Sequence, residues 1–147
     1  MIKKLLGILL CVLLSSCTSN QGYDGEKRPK SELATIYAAK IQRYGFGNSQ
    51  ALGIAQVNGI EVGDPFKGYP RKVYVLPGTV TIKFKFGTLT LGQAIERGLI
   101  PGSTSNNNVK SKGEFKFTVE KGKSYRLHFK SEAHTFEDLT VWTEPYK

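Results

Sequence analysis

Polar and apolar residues alternate one by one along much of the chain, the period of a strand with one buried face and one wet face. The cleanest run is 79–86, where Val80, Ile82, Phe84 and Phe86 share one side and Thr79, Thr81, Lys83 and Lys85 the other. Phe115, Phe117 and Val119 alternate with Glu114, Lys116 and Thr118, and Tyr125, Leu127 and Phe129 with Arg126, His128 and Lys130. Residues 33–39, 51–57, 71–76 and 136–143 predict further strands, with Leu139 and Val141 facing opposite to Thr140 and Trp142. Turn signals separate them. Asn58-Gly59 is a strong hairpin signal leading into Ile60-Glu61-Val62, Pro77-Gly78 turns 71–76 into 79–86, and Glu120-Lys121-Gly122-Lys123 reads as a Gly-containing hairpin loop between the two later strands. Residues 44–48 read as a turn or loop. Short half-buried strands in series predict an all-β fold, an antiparallel β-sandwich of about 7–8 strands.

Three stretches break the alternation. Residues 5–14 are apolar throughout and follow Lys3 and Lys4; the run is about half of the roughly 20 residues a spanning helix needs. It reads as the h-region of a secretory signal. A buried core helix fits less well, because the run has no polar face and Ser/Thr/Asn/Gly-rich sequence follows at once. Residues 18–30 are polar, carry Gly22, Gly25 and Pro29, and read as a flexible tether spanning about 20 Å. A brief helical turn is expected at 29–32. In 89–108, Thr90-x-x-Gln93 has capping-box form, 91–99 has room for two helical turns ended by Gly98 and Pro101, and 102–108 is loop. Such an insertion is either a functional element or a tolerated surface excursion. The expected organisation is a signal at 1–16, an acylated tether at 17–30 and a β-sandwich at 31–147.

The residues after the apolar run, Leu14-Ser15-Ser16-Cys17, resemble the lipobox of bacterial lipoproteins. The resemblance implies cleavage before Cys17, a thioether-linked diacylglycerol on its sulfur and an acyl chain on its new amine. In the sorting rule of enteric-type bacteria, Thr18 in place of aspartate implies the outer membrane, most simply on its periplasmic side. An ordinary signal peptide with an incidental cysteine is the plain alternative. Tyr23-Asp24-Gly25, Arg28-Pro29 and Glu32-Leu33-Ala34 resemble the opening of small Gram-negative lipoproteins. The order Asn58-Gly59, Val75-Leu76-Pro77-Gly78-Thr79-Val80 and Val119-x-x-Gly122-Lys123-x-Tyr125-x-Leu127 resembles their V-D-G, L-P-G-x-H-T-V and G-x-x-Y-x-L arrangement. Those proteins look like PEGA-type or transthyretin-like β-sandwiches. Asn58 stands where they have aspartate, and Thr79-Val80 replaces their histidine-containing step. The resemblance implies a fold and an address, and no reaction.

Composition narrows the chemistry. Of the two cysteines, Cys11 leaves with the signal and Cys17 would be acylated, so neither a disulfide, a thiolate nucleophile nor a cysteine metal site is expected. The chain holds 21 Lys and Arg against 12 Asp and Glu, a formal +9, from which Lys3 and Lys4 depart with the signal. An exported, anchored chain without a nucleic-acid motif points away from nucleic acid. The excess charge fits an anionic envelope polymer, lipid headgroups or an envelope protein, or merely keeps sheet surfaces soluble. No nucleophile elbow, phosphate loop or zinc-protease motif is present, and neither enzyme activity nor a cofactor is expected. His128, Glu132 and His134 are the one constellation with zinc-type donors, though two surface histidines in a basic region explain them as well. Lys83, Lys85, Lys116, Arg126, His128 and Lys130 would form a positive platform if their strands share one outer sheet face. Tyr74, and Trp142 if its ring turns outward rather than into the core, would add aromatic contacts. The function read from sequence is a lipid-anchored periplasmic binding or scaffold module. The alternative is an inhibitor lipoprotein that blocks an envelope-attacking enzyme through 89–108.

Overall fold

A computed structural model describes residues 20–45, 47–64, 68–89, 111–132 and 138–147. Within them a single 3-10 turn, Lys30–Glu32, precedes nine strands: β1 Ala34–Tyr37, β2 Gln42–Tyr44, β3 Asn48–Val57, β4 Ile60–Glu61, β5 Lys72–Val75, β6 Gly78–Leu89, β7 Ser111–Val119, β8 Ser124–Lys130 and β9 Thr140–Pro145. They form two sheets, one ordered β5-β1-β8-β9 and the other β2-β3-β6-β7 with β4 paired to β3. The fold is all-β and sandwich-like, as the alternation predicts.

The apolar side of each alternating run becomes the core. Val80, Ile82, Phe84 and Phe86 of β6 are all buried, and they meet Leu127 and Phe129 of β8 and Ile36, Val73 and Val75 of β1 and β5. Phe86 and Phe129 bridge the sheets edge to face, with ring centroids 5.7 Å apart. β3 departs from strict alternation. Its register against β6 shifts between Ile54 and Gln56, a bulge that lets Leu52, Ile54 and Val57 all point inward with Ala55 also buried. The hairpin after β3 forms as predicted. Asn58 and Gly59 take φ of 48° and 84°, the left-handed pair such a turn requires. The Asn58 side chain also fastens the turn to β6, because its Oδ1 accepts the Thr81 backbone N–H at 2.8 Å.

The 120–123 turn does not close the expected hairpin, because β7 pairs with β6 in one sheet and β8 with β1 and β9 in the other, so the turn carries the chain between sheets. Four further expectations change. The sandwich is not wholly antiparallel, since β1 and β8 pair in parallel with Tyr37 opposite Arg126. The strand expected at 136–143 begins at Thr140, and 133–137 lie outside the described residues. The short β2 has no alternating pattern of its own and exists by pairing with β3, with Gly45 and Gly47 both at positive φ between the two strands.

The fourth concerns the tether. From Asn20 onward the 18–30 segment is part of the domain. Tyr74 N–H donates to the Asn20 carbonyl at 2.9 Å, and Gly22 N–H to the Tyr74 carbonyl at 2.8 Å, adding a parallel bridge to the outer edge of β5. Tyr23 is buried, and its hydroxyl accepts the Arg28 N–H at 2.9 Å. Gly22 fits because it has no side chain; a Cβ there would stand 2.7 Å from Val73 Cγ1. The segment is docked by backbone groups, which its polar side-chain composition does not report.

Candidate binding surface

The six basic residues grouped by sequence do not share a face. Lys83, Lys85 and Lys116 stand on β6 and β7 of one sheet, and Arg126, His128 and Lys130 on β8 of the other. Each sheet buries its inner side in the common core. The two trios therefore point away from each other. Alternation tells which side of a strand is wet, not which sheet the strand joins.

The outward face of the β5-β1-β8-β9 sheet is built of cations and rings. Register lines up Lys72, Tyr37, Arg126 and Glu144 across its four strands. The Arg126 guanidinium carbon lies 4.0 Å from the Tyr146 ring centroid and 5.7 Å from that of Tyr37. The two rings are 4.5 Å apart and tilted by 52°. A planar guanidinium stacks on such rings and is attracted to their negative faces. One residue pair further along β8, His128 stacks on Trp142 with centroids 5.6 Å apart and 16° between planes. Glu144 braces this pair, accepting Trp142 Nε1–H at 3.0 Å on one oxygen, with the other 3.5 Å from His128 Nε2. Trp142 is thus on the outward side, half-buried beneath His128 and not in the core. Lys130 pairs with Glu132 at 2.5 Å.

At the opposite edge, Lys30 and Lys72 hold their ammonium groups 5.5 and 5.8 Å from the Tyr74 ring centroid. Burial pushes the Tyr74 phenol up, but hydrogen bonds and charge from the two lysines outweigh it and hold the group below its ordinary value. Sequence reasoning found Tyr74, Arg126, His128, Lys130 and Trp142. It missed Lys72, Tyr37 and Tyr146, which reach this face only through the pairing of β1 with β5 and β8 and of Tyr146 N–H with the Ser124 carbonyl.

The outward face of the other sheet is organised differently. Lys83 lies opposite Glu114, and Lys116 Nζ is 3.6 Å from Glu114 Oε1 with both side chains well exposed. Such a pair is worth about 0–1 kcal/mol. The Tyr69 ring lies flat on Gly53, where a Cβ would stand 2.4 Å from Tyr69 Cγ. Burial first, and then the Asp64 carboxylate, pushes the Tyr69 phenol above its ordinary value. A hollow of about 280 Å³ beside it is lined by Glu61 and Asp64 as well as Lys83 and Lys85. Its charges offset one another, so it selects no sign of ligand.

His134, Cys17 and residues 90–108 of the candidate inhibitory element lie outside the described residues. Of the zinc-type constellation, His128 is engaged by Trp142 and Glu144 and Glu132 by Lys130. Among the described residues no three His, Cys, Asp or Glu side chains gather as a metal site. Among them, too, no helix is long and apolar enough to cross a membrane. No family model, curated protein or solved structure matches the chain.

Proposed function

We propose that the protein is an outer-membrane lipoprotein, anchored through Cys17, that serves in the periplasm as a non-enzymatic binding or scaffold module. Its binding surface is the outward face of the β5-β1-β8-β9 sheet, and its partner is anionic. The observation that carries this reading is the set of cations held against the half-buried rings of Tyr37 and Tyr74 and the exposed ring of Tyr146: Arg126 on Tyr37 and Tyr146, and Lys30 and Lys72 on Tyr74. Arginine and aromatic side chains are the groups enriched where proteins engage partners, because they offer large, stiff contact area with a polar handle. The Leu14-Ser15-Ser16-Cys17 pattern supports the address. One acyl chain holds a protein only marginally, whereas two or three hold it stably.

Cys17→Ser should move the protein from the membrane to the soluble fraction and remove the acyl mass from its N-terminus. Arg126→Glu with Lys72→Glu should abolish salt-sensitive co-sedimentation with envelope fragments, and Lys83→Glu with Lys116→Glu should leave it intact. An unmodified Cys17 in the cell-made protein overturns the address. Equal losses from the two double variants overturn the choice of face.

A further inference from the structure

The docking of the tether constrains how this domain sits on its membrane. Asn20 is hydrogen-bonded to Tyr74 on the free edge of β5, so only three peptide links separate the domain from Cys17. Those links span at most about 11 Å. A lipid on the Cys17 sulfur would thus hold the β5 edge against the headgroups, instead of letting the domain wander on a long coil. The parallel sense of the Gln21–Tyr74 bridge brings the chain in from the Lys72 end of β5. The row Lys72, Tyr37, Arg126 starts at that same end, with Tyr74 and Lys30 beside it and Trp142 on the far edge strand.

We propose that the outward face of the β5-β1-β8-β9 sheet lies flat on the anionic lipid surface to which the protein is anchored. The inference rests on acylation of Cys17. Two chemistries of this face favour a lipid surface over a soluble acidic glycan as the occupant. Amphipathic rings such as Tyr37, Tyr74, Tyr146 and Trp142 settle at headgroup depth, with their polar atoms toward water and phosphate. Lys30, Lys72 and Arg126 are drawn to the negative surface potential only within a Debye length of it, a distance comparable to the reach of the three links. Docked this way, the domain turns Lys83, Lys85 and Lys116 toward the aqueous side, where the mixed-charge hollow and Tyr69 also lie.

Trp142 is the single tryptophan of the chain, and it reports on this face directly. The test uses the full acylated protein in vesicles of phosphatidylethanolamine and phosphatidylglycerol whose acyl chains are brominated near the headgroup. Docking predicts loss of most Trp142 emission. The loss should largely disappear in phosphatidylcholine vesicles, at high salt, and in the Lys30→Glu/Lys72→Glu variant, but persist in Lys83→Glu/Lys85→Glu. Lys30→Gln/Lys72→Gln, which removes charge without reversing it, should give an intermediate loss and guards against misfolding of the first variant. Mass spectrometry of the same sample reads Cys17 independently. With Cys17 acylated, unquenched Trp142 overturns the docked orientation and leaves the anchor standing. An emission change produced by added polygalacturonate in place of lipid also overturns it, and assigns the face to a soluble acidic polymer. Unmodified Cys17 overturns anchor and orientation together.

Discussion

Tyr74 and Tyr69 lie on the outward faces of the two sheets and are displaced in opposite directions from the ordinary phenol value of 10.0. Both feel burial, which raises them. What differs is the company. Lys30 and Lys72 crowd Tyr74 and stabilise a phenolate there, whereas Asp64 faces Tyr69 and penalises one. The lesson goes beyond two side chains. Both faces carry lysines, yet one lines up Lys72, Tyr37 and Arg126 in register across β5, β1 and β8, with Glu144 ending the row on β9, and the other disperses its lysines among Glu114, Glu61 and Asp64. Net charge does not distinguish the faces; the arrangement of neighbours does.

The contrast between the faces is confined to their outer sides, and the inner sides provide the sharpest check of that. Phe129 and Phe86 come from different sheets and pack on each other. Each should cost about 3–5 kcal/mol when replaced by alanine, with similar shifts of the urea midpoint. A large cost from one and a small cost from the other would mean that the sheets do not share a core. Gly22→Val comes next, because its side chain must displace Val73 or push the docked segment off β5. Overpacking of this kind costs about 1–3 kcal/mol, and amide exchange should show Gly22 and Tyr74 losing protection together.

Arg126→Ala against Lys116→Ala compares the faces themselves. Loss of a guanidinium stacked on two tyrosines should cost about 0.5–2 kcal/mol. Loss of Lys116 from an exposed ion pair should cost about 0.5 kcal/mol or less. Equal costs would erase the distinction in packing.

The smallest effect is the most specific. Tyr74 has a lowered value in the fold, so the unfolded chain binds more protons just below pH 10.0 and stability rises with pH across that window. This contribution is lost again as pH falls through the folded value. Tyr69 has a raised value, so its contribution is fully present below pH 10.0 and falls away as pH rises through the folded value. Ultraviolet titration of tyrosinate should lose its early portion in Tyr74→Phe and its late portion in Tyr69→Phe. Lys72→Ala should shift the early portion upward. A Tyr74 that titrates no earlier than Tyr69 would contradict the assignment of charge to the two faces.

Much of the fold was legible in residues 79–86, 114–119 and 125–130, because strict alternation around Val80, Phe117 and Leu127 admits one geometry, a strand with one buried side. Asn58-Gly59 was legible for an equally local reason: both residues tolerate positive φ. The bulge at Ala55 was not, because it arises from the fit of β3 against β6. The 20–23 segment misled for a related reason. Its polarity and glycine suggest coil, yet Gly22 is what permits close approach to Val73.

The chain by itself thus determined which side of each alternating run is wet and which is buried, where the Asn58-Gly59 hairpin turns, and the apolar leader and Leu14-to-Cys17 pattern behind the proposed anchor. Each of these depends on neighbours a few positions apart. Only the tertiary structure decided that Lys83 and Arg126 belong to opposite faces, that Tyr37 and Tyr146 close on Arg126, and that Asn20 is fastened to β5. Those outcomes hang on which strand pairs with which and in which sense. The β1–β8 pairing joins segments far apart in sequence, where periodicity carries no information.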